Sequence, residues 1–104
     1  GWGSNQITVQ QHNSDTSIAI VDVGKVSGLG NVKTIPQSGW INGHTQNGQL
    51  HASVPCKVGH GYVVRVKNDI SGIVHYVRLY VVDTIKQNGA VVGVNAKIQY
   101  PFEP

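Results

Sequence analysis

Cysteine, glutamate, methionine and charge in general are scarce in this sequence. Cys56 and Glu103 are single occurrences, methionine is absent, and Lys, Arg, Asp and Glu make up only 12% of the 104 residues. One cysteine excludes an intrachain disulfide, so cysteine usage leaves the redox compartment unread. The charged share is about half the usual one, too low for a helical surface laced with salt bridges. Leu occurs three times and Ala four, so good helix formers are few. No long segment carries apolar residues at helical spacing without an interrupting Gly or Pro. No apolar run approaches the length of a membrane-crossing helix, and the basic, apolar, small-residue order of a signal peptide is missing. The chain begins with Gly1 and not Met, which reads as a trimmed or mature fragment whose targeting segment has been removed.

What remains is rich in valine, the most frequent residue, and in glycine, which occurs 13 times. β-branched side chains are stiff and pack well on a pleated surface, so the intrinsic preference is extended. A chain of this length takes roughly two-thirds of its unfolded surface out of water. One core is therefore expected, in a single all-β domain spanning 1–104. The formal charge is +3 and the pI about 9.2. Because the eight Lys and Arg form no run, the plain reading is a mildly basic solvated surface, with an anion-binding face as the sharper one.

Along the chain, Ile7-Thr8-Val9 and Ile18-Ala19-Ile20-Val21-Asp22-Val23 flank the turn-rich Asn13-Ser14-Asp15 and read as a first hairpin. The second of these strands is apolar on both faces, which marks a central or doubly covered position. Residues 24–48 are dense in Gly, Ser, Asn and Thr and contain Pro36. They read as a long irregular connection pinned by Trp40, with one short edge strand in it. The stretch 42–49 is the most polar and holds two Asn-Gly turn signals, so it is expected as a surface loop with Trp40 at its foot. Leu50, Ala52 and Val54 alternate with His51 and Ser53 until Pro55 ends the strand. Tyr62, Val64 and Val66 alternate with Val63, Arg65 and Lys67, and Asn68 to Gly72 form the next turn.

The last third carries the strongest signal. Two valine-rich stretches meet at Asn88-Gly89, the preferred pair for a two-residue type I′ turn, in which both residues take φ > 0. The turn fixes a register in which Ile85 faces Val92, Val81 faces Ala96, Leu79 faces Ile98 and Tyr80 faces Lys97. One face then carries Val77, Leu79, Val81, Ile85, Val92, Val94, Ala96 and Ile98, and is the core face. The other carries Tyr76, Arg78, Tyr80, Thr84, Lys86, Asn95, Lys97 and Gln99. Asp83 breaks the pattern by pointing inward, unless the hairpin overhangs the core there. About seven strands in all, ending in this long hairpin, suggest an antiparallel β-sandwich or a small bent β-barrel.

No set of residues has the spacing that catalysis requires. His44, His51, Cys56 and His60 are of ligand type for zinc but fit none of the paired spacings. Cys56 lacks a nucleophile elbow or helix N-terminus, and the four Asp and one Glu are scattered. Gly28-Leu29-Gly30 has neither the third glycine nor the Lys-Ser/Thr of a phosphate loop and reads as a tight turn. No enzyme, no metal and no cofactor are expected. The residues left for binding are Arg78, Tyr80 and Lys97 on the outer hairpin face, with Trp40 and His44 beside or within the polar segment. Cations next to an aromatic ring suit an anionic glycan or single-stranded nucleic acid. The plainer reading of the same residues is long cationic side chains covering outward tyrosines.

Five strings, taken together, carry a resemblance: Gly28-Leu29-Gly30-Asn31-Val32; Ile35-Pro36-Gln37-Ser38-Gly39-Trp40; Gly59-His60-Gly61-Tyr62-Val63-Val64-Arg65; Tyr76-Val77-Arg78-Leu79-Tyr80-Val81-Val82; and Lys97-Ile98-Gln99-Tyr100-Pro101-Phe102. Over roughly residues 23–103 the chain resembles a C-terminal module of surface lipoproteins from gut Bacteroidetes. The resemblance implies an exported, envelope-associated or lipid-anchored all-β protein without an assigned activity, and it brings no catalytic residues. The 42–49 segment departs from that pattern in being longer and more polar. The functional expectation is a non-catalytic binding or adhesion module at a bacterial cell envelope, with a glycan or another envelope component as partner. Its alternatives are a spacer domain of a surface lipoprotein and, less favoured, a nucleic-acid-binding small β-barrel.

Overall fold

The valine-rich alternation becomes eight strands in the computed structural model, which describes residues 6–11, 15–46 and 49–102. They are β1 (Gln6–Gln11), β2 (Thr16–Lys25), β3 (Ile41–Asn42), β4 (His44–Gln46), β5 (Gln49–Pro55), β6 (His60–Asn68), β7 (Val74–Gln87) and β8 (Ala90–Gln99). A single 3-10 turn at Leu29–Asn31 interrupts the connection from β2 to β3. All strand pairs are antiparallel and form two separate sheets, ordered β1-β5-β4 and β3-β2-β6-β7-β8. The architecture is therefore sandwich-like and not a closed barrel.

One expected pairing is corrected. β1 and β2 do not form a hairpin: β1 pairs with β5, Ile7 opposite Val54 and Val9 opposite Ala52, while β2 pairs with β6 in the other sheet. Either partner satisfies the alternation of β1, and its choice is decided by long-range packing. β3 and β4 are separated by Gly43 alone, where the chain leaves the large sheet for the small one. A Cβ on Gly43 would lie 3.0 Å from Ile18 Cγ1 and 3.2 Å from the Ile18 carbonyl oxygen, so a side chain at the crossing would crowd β2. The expected loop over 42–49 thus holds the end of β3, the sheet-to-sheet crossing at Gly43, all of β4 and the first residue of β5. Gln46 pairs with Gln49, and the Asn47-Gly48 between them lies outside the described residues.

The large sheet is covered on both faces, and this explains why its central strands are apolar throughout. Between the sheets lie Ile20, Ala52, Val54, Tyr62, Val64 and Val81, with Ile7, Val9, Val77, Leu79 and Val94 packed around them. On the opposite face Val21, Val32, Val63 and Phe102 form a second cluster, joined by Val23, Val26, Ile35, Trp40 and Tyr76. The irregular segment 26–40 and the tail after β8 supply that cover. Burying side chains such as Val21, Val32, Val63 and Phe102 stabilises by about 1.5–3 kcal/mol each, and the half-buried ones contribute less. The Phe102 amide donates to the Tyr76 carbonyl (2.8 Å) and the Val26 amide to the Gly59 carbonyl (2.9 Å), fixing the cover at two points. Val32, in the irregular connection, is a fully buried plug, and where one short edge strand was expected within residues 24–48 the described residues hold two, β3 and β4.

The terminal hairpin turns at Asn88 (φ +54°) and Gly89 (φ +79°), as its sequence requires. Tyr80 faces Lys97, Val81 faces Ala96 and Leu79 faces Ile98 in the expected register. Between these and the turn the register shifts by one residue, since Asp83 faces Asn95 and Ile85 faces Gly93. A bulge at Val82 and a compensating one at Val92 account for it. The shift turns Asp83 to the outer face, where its carboxylate accepts from Asn95 Nδ2 at 2.7 Å. Ile85 leaves the expected core face and is 43% exposed, while Thr84 turns to the inner side opposite Val94.

Candidate functional site

The face of the large sheet that carries the second cluster also carries the cationic and aromatic residues. Three strands place them: Asn42 of β3 and Arg65 of β6 flank Ala19 of β2, and Arg65 faces Tyr76 of β7. Trp40, immediately before β3, is half-buried in the midst of them. The Arg65 guanidinium carbon lies 4.8 Å from the Trp40 ring centroid, within cation–π range, and Arg65 Nη2 donates to Asn42 Oδ1 at 3.3 Å. The Tyr76 ring is 6.4 Å from Trp40 at an angle of 43°. The indole Nε1 donates to the Pro36 carbonyl at 2.9 Å, so the ring is held by its own loop.

Arg65 and Asn42 also border a groove of about 330 Å³, lined further by Ser17, Ile18, Gly43, Leu50, Lys67 and Asp69. The Asp69 carboxylate accepts from Ser17 Oγ at 2.7 and 2.8 Å. Within one small volume the groove offers a guanidinium, an ammonium, an amide, a hydroxyl and a carboxylate. A wider recess of about 430 Å³ lies between β2 and the segment 31–39, lined by Val21, Asp22, Val32, Lys33 and Ser38 among others. Neither lining includes an aromatic ring, and in the recess Asp22 accepts from the Gly24 amide at 2.7 Å and pairs with His60 Nδ1 at 3.0 Å; only the first groove has a lining residue, Arg65, stacked on an aromatic ring.

The residues picked out from sequence divide around this geometry. Tyr80 and Lys97 stand opposite each other, Tyr80 half-buried and Lys97 exposed. Arg78, expected to reach outward beside them, is half-buried beneath the loop. Its guanidinium donates to the carbonyls of Leu29 (3.1 Å) and Val32 (3.0 Å) and to Gln99 Oε1 (2.6 Å), and stacks 5.0 Å from the Phe102 ring centroid. Arg78 thus clamps the 3-10 turn and the tail onto the sheet. Tyr76 and Tyr80 are about 13 Å apart along β7, so the Trp40–Arg65 group and the Tyr80–Lys97 pair lie on either side of this clamp. His44 pairs with His51 through the backbone, but its side chain is outside the described residues.

Of the metal-type residues, the His44 side chain lies outside the described residues. Cys56 packs half-buried against the inter-sheet core, where burial pushes its thiol up from the ordinary value. His51 is in β5 and His60 at the start of β6. Among the described residues no group of three or more His, Cys, Asp or Glu could hold a metal ion. Nor is any helix among them long and apolar enough to cross a membrane.

Sequence reasoning missed Arg65, Asn42, Lys67 and Asp69. The alternation in β6 does separate Arg65 and Lys67 from the Tyr62–Val64–Val66 face, but only the order β3-β2-β6 brings them to Trp40. No protein-family profile, no curated protein and no solved structure matches this chain.

Proposed function

We propose that this chain is a non-catalytic binding module of a bacterial cell envelope whose ligand is a glycan, bound beside Trp40 on the outer face of the large sheet. The observation that carries the reading is the joining of an aromatic ring to a polar groove through Arg65. A sugar presents a C–H face that suits an aromatic ring and vicinal hydroxyls that suit planar amides, guanidinium and carboxylate groups. Asn42, Arg65, Lys67 and Asp69 offer those groups, and Tyr80 with Lys97 gives a second contact for a longer or anionic chain. The envelope location rests on the resemblance carried by the Gly28 to Phe102 strings.

The test is a glycan array followed by calorimetry on the best binder. Asn42→Ala and Lys67→Ala change exposed residues and are each expected to weaken binding about three- to tenfold, the effect of one lost hydrogen bond or charge contact. Failure of every glycan, or affinity indifferent to both substitutions, overturns the proposal.

A spacer role is the second reading, favoured by one feature. Arg65, Arg78 and the Trp40 indole all have partners within the chain, so these residues also tie the loop to the sheet. A spacer predicts loss of stability in their variants and no glycan response at all.

A further inference from the structure

The two sheets are unequal, three strands against five, and the mismatch leaves one side of the sandwich open. There, Gln6, Ile7 and Thr8 of β1 form the wall of a groove of about 400 Å³ whose floor is Leu79 and Val81 of β7 with Val94, Ala96 and Ile98 of β8. The floor residues come from alternate positions, as they must on one face of a pleated sheet. Ile98 is 61% exposed although it lies on the core side of its strand. This groove is on the opposite face of the large sheet from Trp40.

A second observation concerns the edges. Among the described residues β1 is an edge strand of the small sheet and β8 an edge strand of the large one. Natural edge strands are normally blunted by charge, proline, bulges or short length. β1, Gln6-Ile7-Thr8-Val9-Gln10-Gln11, has six residues with no charge, no proline and no glycine, and its register with β5 is unbroken. Among the described residues no strand pairs with its other edge, and Gln6, Ile7 and Thr8 border the apolar floor. An apolar groove of pleated period beside an unblunted edge has the form that a β-strand fills, with backbone bonds to the edge and alternate side chains on the floor.

We propose that this groove is a strand-acceptor site, and that its occupant is one extended segment of a partner protein, apolar at every second residue, which adds to β1 and completes the small sheet. The sheet order argues for a single strand and against a second copy docking edge to edge. Strands in a sheet are about 4.8 Å apart, and the large sheet extends past β1 beneath the groove. A second copy placing its own β1 beside this one would drive its β7 and β8 into the same space as these.

The probe is a short synthetic peptide alternating threonine with valine or isoleucine, lysine-tipped for solubility. Its control has the same composition with the apolar residues grouped. The alternating peptide is expected to shift the amide and methyl resonances of Ile7, Leu79, Val81, Val94, Ala96 and Ile98, and to slow hydrogen exchange in β1, while the grouped peptide does neither. Ile98→Lys, at an exposed position, puts a charge on the floor and is expected to weaken the peptide about tenfold or more with an unchanged far-ultraviolet circular dichroism spectrum. If that substitution disturbs the fold, Ala96→Lys serves the same purpose. Equal binding of both peptides, or no perturbation of the groove at millimolar peptide, overturns the proposal. Self-association in ultracentrifugation that Ile98→Lys abolishes also overturns it, since a second copy would then be the occupant.

Discussion

Tyr62→Phe removes one oxygen from the middle of the inter-sheet core and is the sharpest probe of how the β5–β6 connection is held. Tyr62 is fully buried; its hydroxyl donates to the Pro55 carbonyl at 2.8 Å and accepts from the Lys57 amide at 2.9 Å. Phenylalanine keeps the ring and its packing but leaves a carbonyl and an amide without their partner. At about 1 kcal/mol per lost bond the variant should be roughly 2 kcal/mol less stable at pH 7. The pH dependence adds a second, independent reading. Burial, with smaller contributions from the Asp22 charge and Cys56, pushes the Tyr62 hydroxyl up from 10.0 to about 12, against the lowering effect of the Lys57 amide. Above pH 10 the unfolded chain ionises this tyrosine while the folded chain does not, so the folded state loses stability between pH 10 and pH 12. The variant lacks that loss. Urea unfolding of both proteins at pH 7 and across the alkaline range should therefore show a gap that narrows as pH rises and is closed by pH 12, the full loss amounting to roughly 3 kcal/mol at most. Other titrating groups are common to both proteins and cancel. Equal stability at pH 7, or a gap independent of pH, refutes the reasoning.

Three further substitutions test the cover of the large sheet and the hairpin. Gly61→Ala should cost about 1–3 kcal/mol by overpacking, because its Cβ would lie 2.5 Å from Val32 Cγ2 and 3.0 Å from Val23 Cγ2; thermal unfolding measures it. Gly89→Ala meets open space but demands φ near +79°, so its loss of about 1 kcal/mol is purely conformational, and Gly89→Asn should recover part of it. Arg78→Lys keeps the charge but not the planar fork that reaches Leu29, Val32 and Gln99 together. It should lower stability by roughly 1.5–3 kcal/mol and speed hydrogen exchange at the Val32 amide, while exchange in β5 changes only in step with global stability.

Features set by neighbouring residues were legible in the sequence, and those set by distant pairings were not. Asn88-Gly89 announces its turn because few residue pairs tolerate two positive φ angles, and the register near Tyr80 and Lys97 follows from counting back. The same count failed at Ile85, since a bulge adds one residue without a compositional mark. Asp83 was the warning: a carboxylate placed among inward valines is what a one-residue slip relieves. The double apolar character of β2 correctly marked a strand covered on both faces. The identity of the covers was hidden, because β1 joins β5 across a gap such as the 45 residues separating Thr8 from Ser53. At the candidate site Trp40, Tyr80 and Lys97 could be chosen by type and face. Arg78 was correctly assigned its face, but the loop that roofs it comes from 46 to 49 residues away. Arg65 reaches Trp40 only because β2 lies between β3 and β6.

The most direct measurement on the central claim is a nuclear magnetic resonance titration with the strongest glycan from an array, following indole and backbone resonances in a Trp2→Phe background so that Trp40 reports alone. The account predicts saturable shifts at the Trp40 indole and at the amides of Asn42, Arg65 and Lys67, with the inter-sheet groove residues unmoved. Shifts confined to other surfaces, or none with any glycan, contradict it.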